Sequence, residues 1–184
     1  MRGSALWRLA VLAMALAGGV GVARAAVLIS IDEALAAAFP KAICERETIF
    51  LTEAQLDEVE DSAGHRPASA MVTRFRAASG GSTIGWAYVD SHRVRTLPET
   101  LMVIIDPAGS VTRVEVVAFR EPLDYLPPRS WYAQFDGQDL GEDLELKRSI
   151  RPITGATLTA RATTDAVRRV LAVHESITAS EATP

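Results

Sequence analysis

Apolar residues recur along this chain with two periods, and the changes of period mark its elements. Ser30 precedes Ile31 to Phe39, where Ile31, Leu35 and Phe39 share a face, and Pro40 stops the run. That is a short capped helix. Glu47 to Leu51 reads as a strand, and Thr52 then caps an acidic helix from Glu53 to Asp61 with Leu56 and Val59 inward. Met71 to Ala77 and Ile84 to Val89 alternate on either side of Gly80-Gly81-Ser82, a hairpin pattern. Leu101 to Ile105 is continuously apolar and so predicts a central strand. Asp106-Pro107-Ala108-Gly109 is a turn, and Val111 to Phe119 alternates again, setting Val111, Arg113, Glu115, Val117 and Phe119 opposite Thr112, Val114, Val116 and Ala118. Pro127-Pro128 opens a short helix through Phe135, closed by Asp136-Gly137. From Thr157 to Ser176, Leu158, Ala162, Ala166, Val170 and Val173 keep helical spacing, which leaves Arg161, Arg168 and Arg169 pointing away. Strands joined by short turns imply an antiparallel sheet. The expected class is therefore α+β, a single domain with flanking helices and a long C-terminal helix.

The N-terminus changes the picture of where the domain begins. Arg2 and Arg8 precede the apolar run Leu9 to Val22, and Ala23-Arg24-Ala25 is a small-x-small cleavage pattern. Residues 1–25 read as a secretory signal cleaved after Ala25, with the domain at 26–184. The uncharged stretch between Arg8 and Arg24 is 15 residues, short of the ~20 that a spanning helix needs, so an uncleaved anchor is the lesser reading. Removing Arg2, Arg8 and Arg24 from 19 Lys and Arg leaves 16 against 23 Asp and Glu, a mature charge near −7. An acidic balance argues against nucleic-acid partners. Cys44 is the only cysteine. It permits no internal disulfide, attached haem or iron–sulfur cluster and reads as a small buried residue near a helix end.

The segment with chemistry is Thr154-Gly155-Ala156-Thr157-Leu158-Thr159, a small hydroxyl-rich turn that opens onto the last helix. Amide groups at a helix N-terminus lack intrahelical acceptors, and the helix dipole favours an anion there. Ordinary capping by threonine uses the same residues, so both readings stand. Thr-Gly-Ala-Thr resembles the [Ser/Thr]-Gly-Ala-Thr signature of the FMN-binding domain family, which includes the C subunit of sodium-translocating NADH:quinone reductase and the G subunit of the Rnf complex. The resemblance extends through Ala162 to Arg169 downstream, and upstream to Arg120-Glu121-Pro122, Tyr125 and Trp131 through Gly137. In that family the last threonine of the four carries FMN through a phosphoester made by a flavin transferase. By position the acceptor is Thr157, with Thr154, Gly155, Ala156, Leu158 and Thr159 around the phosphate. The transferase pattern usually has an aspartate three residues before the first Ser/Thr, where this chain has Arg151. That departure bears on covalent attachment more than on FMN binding.

The resemblance also assigns a ring side. A Glu-Thr-Pro loop lies against the flavin in larger relatives, and Glu121-Pro122, with Tyr125, stands in its place; an ordinary turn after a strand is the competing reading. Trp131 is a core candidate before it is a ring contact. His92-Arg93-Val94-Arg95-Thr96 is a basic cluster that would either face the phosphate, dock a partner or form a solvated loop. His92 has no metal-ligand spacing, and His65 and His174 have no recognisable partners in sequence. No Gly-x-Ser-x-Gly or Walker-type motif occurs. The expectation is an exported flavoprotein in the periplasm or on the outer face of the cytoplasmic membrane. It would relay electrons among extracytoplasmic or membrane redox proteins, with no catalytic residues of its own. The alternative is a degenerate member that binds no flavin and serves as an assembly module.

Overall fold

The computed structural model describes residues 26–182; the expected signal segment lies outside the described residues. Six strands form one antiparallel sheet in the order β1-β6-β5-β4-β3-β2. They are β1 (Ala26–Val27), β2 (Ile43–Phe50), β3 (Met71–Ser79), β4 (Ser82–Arg93), β5 (Pro98–Ile105) and β6 (Val111–Phe119). Helices α1 (Ile31–Ala38), α2 (Glu53–Ala63), α3 (Arg129–Tyr132) and α4 (Thr157–Ala182) flank it. The α+β expectation holds.

The continuous apolar run of β5 is explained by burial on both faces. Leu101, Val103 and Ile105 enter a core shared with α2 and α4, whereas Met102 and Ile104 enter a smaller core under α1. Two of these helices, α1 and α2, begin with full capping boxes. Ser30 pairs reciprocally with Glu33 at α1, and Thr52 with Gln55 at α2.

Several elements depart from the sequence pattern. β2 begins at Ile43 and ends before Leu51, so Cys44 is a half-buried strand residue and sits at no helix end. The two-residue β1 left no periodic signal. β4 runs on through His92 and Arg93, which are therefore strand residues. In β6 the alternation slips: Ile105 pairs with Val111 but Ile104 with Arg113, so Thr112 is an extra residue. Such a bulge reverses the face of the residues after it, and Val111 and Val114 join the same core. Helix α4 extends past Ser176 to Ala182. Leu158, expected inward, is 51% exposed. Arg168 and Arg169, expected outward, turn onto the protein. Arg168 donates to the carbonyls of Ser62, Ala63, Gly141 and Leu144, and Arg169 to the Asp90 carboxylate at 2.9–3.2 Å.

Candidate functional site

The chain approaching the Thr154–Thr159 turn is held by its own backbone. Trp131, buried on α3, donates its indole N–H to the Arg151 carbonyl at 2.8 Å, and the Arg151 amide donates to the Gln134 side chain at 2.9 Å. Trp131 is thus core, and the Arg151 side chain is left exposed. Gly155 then takes φ +86°, a left-handed conformation that a residue without Cβ adopts at little cost. No atom lies within 4 Å of where its Cβ would stand, so the turn is open on that side.

Helix α4 begins differently from α1 and α2. Its first intrahelical bond runs from the Ala160 amide to the Ala156 carbonyl at 2.9 Å, which puts Ala156 at the cap with no side-chain oxygen. The neighbouring threonines do not cap either. Thr157 Oγ1 donates to the Ile153 carbonyl at 3.2 Å, and Thr159 Oγ1 to the Tyr125 carbonyl at 2.6 Å. Among the described residues no acceptor meets the amides of Thr157, Leu158 and Thr159. Ordinary capping therefore does not account for the threonines.

The residues that carry these amides line a cleft of about 170 Å³, together with Arg95, Tyr125, Gly155 and Ala156. The Arg95 guanidinium stands 4.8 Å above the Tyr125 ring. Glu121 sets that arrangement from behind. Its Oε1 accepts the amides of Arg95, Thr96 and Leu97 at 3.2, 2.7 and 2.8 Å, clamping the β4–β5 loop. The hydrogen bonds from Leu97 and then Thr96 hold its carboxyl below the usual range. Neither Glu121 nor Pro122 lines the cleft. The Pro122 carbonyl accepts the Tyr125 amide at 2.9 Å and so shapes the turn that carries the ring. Of the nine residues singled out in sequence, the structure brings Tyr125 and residues 155–159 together, leaves Thr154 exposed and outside the lining, and makes Glu121 and Pro122 supports.

A buried polar network beneath α4 escaped sequence reasoning. Fully buried Glu99 accepts from His92 Nε2 at 3.1 Å, Thr163 Oγ1 at 3.0 Å and Tyr132 Oη at 3.2 Å. His92 Nδ1 also donates to Asp90 at 2.9 Å. Burial alone would push His92 down, but the bonds to Asp90 and Glu99 outweigh it and hold the imidazole at about 9. Burial would likewise raise Asp90, which the His92 bond and the Arg169 charge hold below its usual value. His174 also has a partner, the Tyr88 hydroxyl at 2.9 Å. Burial, reinforced by the Arg74 charge, drives it down to about 4. The sequence pattern carried no advance signal for the network, because Asp90 and Glu99 lie just outside the expected strands Ile84 to Val89 and Leu101 to Ile105.

Residues 97–172 match the family model of the FMN-binding domain, a span that runs from β5 through most of α4 and includes the turn. No curated protein and no solved structure matches the chain.

Proposed function

We propose, on the premise that residues 97–172 of this chain are an FMN-binding domain, that the protein is an exported electron-transfer relay holding FMN by its phosphate at the Thr154–Thr159 turn. The single observation that carries the placement is the uncapped start of α4, beside two helices that cap themselves completely. A phosphate supplies the acceptors that the amides of Thr157, Leu158 and Thr159 lack, and the helix dipole adds to the attraction. Open space at Gly155 lets the phosphate reach the backbone, and Arg95 supplies the positive side chain of the cleft. The residues present fit the group.

Bound FMN supplies reversible electron storage. The chain's own residues bind and orient it. Glu121 keeps Arg95 over Tyr125, and Thr159 ties the Tyr125 backbone to α4, so the two walls of the cleft keep their spacing. Thr157 is exposed at the cleft, and its hydroxyl holds only one bond, to Ile153. A flavin transferase would move the FMN phosphoryl group from a flavin dinucleotide onto the Thr157 oxygen: the new P–O bond forms as the pyrophosphate bond breaks, the nucleoside monophosphate leaves and the hydroxyl proton is released. Extracytoplasmic or membrane redox proteins are the electron donors and acceptors of this reading. The export pattern of residues 1–25 and the acidic mature chain support its place outside the cytoplasm.

Expression of the full chain with a flavin transferase, followed by intact mass and visible absorption, tests this reading. A yellow protein carrying one FMN, which the Thr157→Ala protein lacks, supports it. A yellow protein of unmodified mass points to non-covalent binding, and Arg151→Asp is then expected to introduce the adduct. A colourless protein that takes up no added FMN overturns the flavin reading in favour of an assembly module.

A further inference from the structure

Beyond Leu158 the phosphate cleft continues into a second groove of about 340 Å³, which lies between α4 and the end of β4. Its volume falls within the ~300–1,000 Å³ of small-molecule sites. The exposed Leu158 side chain lines both spaces and offers an apolar saddle between them.

The charges around this groove are unequal. Arg66 is spent on Glu53, Asp57 and Glu60, and Arg169 on Asp90. The Asp165 carboxylate, 3.5 Å from His65 Nε2, is the one carboxylate among the groove's lining residues. Two cations remain. Arg93 donates only to the neutral Thr96 carbonyl, and Arg161 has no ion-pair partner among the described residues. Both are exposed arginines in a chain whose net charge is −4. Arg161 lies one helical turn past Thr157, on the same side of α4. A ligand anchored at Thr157 and laid across Leu158 therefore meets them.

Resting on the FMN reading above, we infer that Arg93 and Arg161 form a cationic wall for the polar pyrimidine-dione edge of the flavin and raise its reduction potential. A flavin that takes up two electrons and one proton from an external donor gains one negative charge at that edge. The two guanidinium groups, which have no carboxylate partners and outnumber the Asp165 carboxylate, leave a net positive charge that favours that state over the neutral oxidised one. The pair is a potential-setting element, separate from the phosphate hold at the turn.

The test uses the flavin-loaded full chain and its R93Q/R161Q variant, with Arg46→Gln on the distant edge strand β2 as control. Each is equilibrated with a redox mediator at fixed potential, and the reduced-to-oxidised flavin ratio is read from the visible spectrum. The double variant is expected to keep one flavin per chain and to show a ratio on the order of tenfold lower than the parent, the combined size of two exposed, solvent-screened charge interactions. Arg46→Gln is expected to match the parent. An unchanged ratio in the double variant overturns the wall while leaving the phosphate site standing. A parent chain that takes up no flavin overturns both readings.

Discussion

Replacing Glu121 by alanine isolates the support behind the cleft. Its Oε1 accepts three amides of the β4–β5 loop, and no other acceptor among the described residues meets those of Thr96 and Leu97. Hydrogen bonds to a charged acceptor contribute about 1.5–3 kcal/mol each when buried. Glu121 itself is only 6% exposed, but Arg95 and Thr96 are exposed, so water replaces part of what is lost. Roughly 1 kcal/mol per bond gives about 3 kcal/mol for Glu121→Ala. For a chain of this size that lowers the Tm by about 6–12 °C. Glu121→Gln keeps an oxygen in place without its charge and is expected to cost about half as much. Urea unfolding of the three proteins at pH 7 reads these differences. The lowered carboxyl sets a pH signature. Its stabilisation is present above the unfolded value of 4.5 and is lost as pH falls through the lower folded value. Parent and Glu121→Ala should therefore converge in strong acid. An alanine variant within about 0.5 kcal/mol of the parent, or a glutamine variant as unstable as alanine, refutes the clamp.

Three further outcomes are expected. Thr157→Ala should unfold within about 0.5 kcal/mol of the parent, because an exposed side chain with one bond to Ile153 is removed, and under the proposed function it should carry no FMN adduct in the intact mass. Stability should peak between two histidine limbs. His174, held down to about 4, destabilises the fold as pH falls below the unfolded value of 6.5, and His92, held up at about 9, withdraws its contribution as pH rises through about 9. Unfolding midpoints across pH 4.5–9.5 read both, and His174→Gln should remove the acid limb while leaving the alkaline one. Gly85→Ala should cost about 2–4 kcal/mol, since a Cβ there stands 2.7 Å from the Ile105 carbonyl oxygen and 2.9 Å from Phe39 Cε1; a thermal melt unchanged from the parent would contradict that packing.

The sequence by itself determined the class of the fold, because periods of two and 3.6 are properties of the local backbone and show wherever one face is buried. The caps Ser30 and Thr52, the central place of β5 and the place of the Thr-Gly-Ala-Thr turn before α4 all came from residues a few positions apart. Only the tertiary structure decided whether the threonines of that turn cap the helix. Whether Thr157 and Thr159 cap α4 depends on what else their hydroxyls meet, and Thr159 finds the Tyr125 carbonyl 34 residues away. Arg169 looked like a solvated charge until β4 brought Asp90 under it, and Glu121 looked like a cofactor contact until its carboxylate proved occupied by Arg95, Thr96 and Leu97. Hydrogen bonds and ion pairs are short-ranged and directional, so their partners are set by the approach of distant segments, which no local period records.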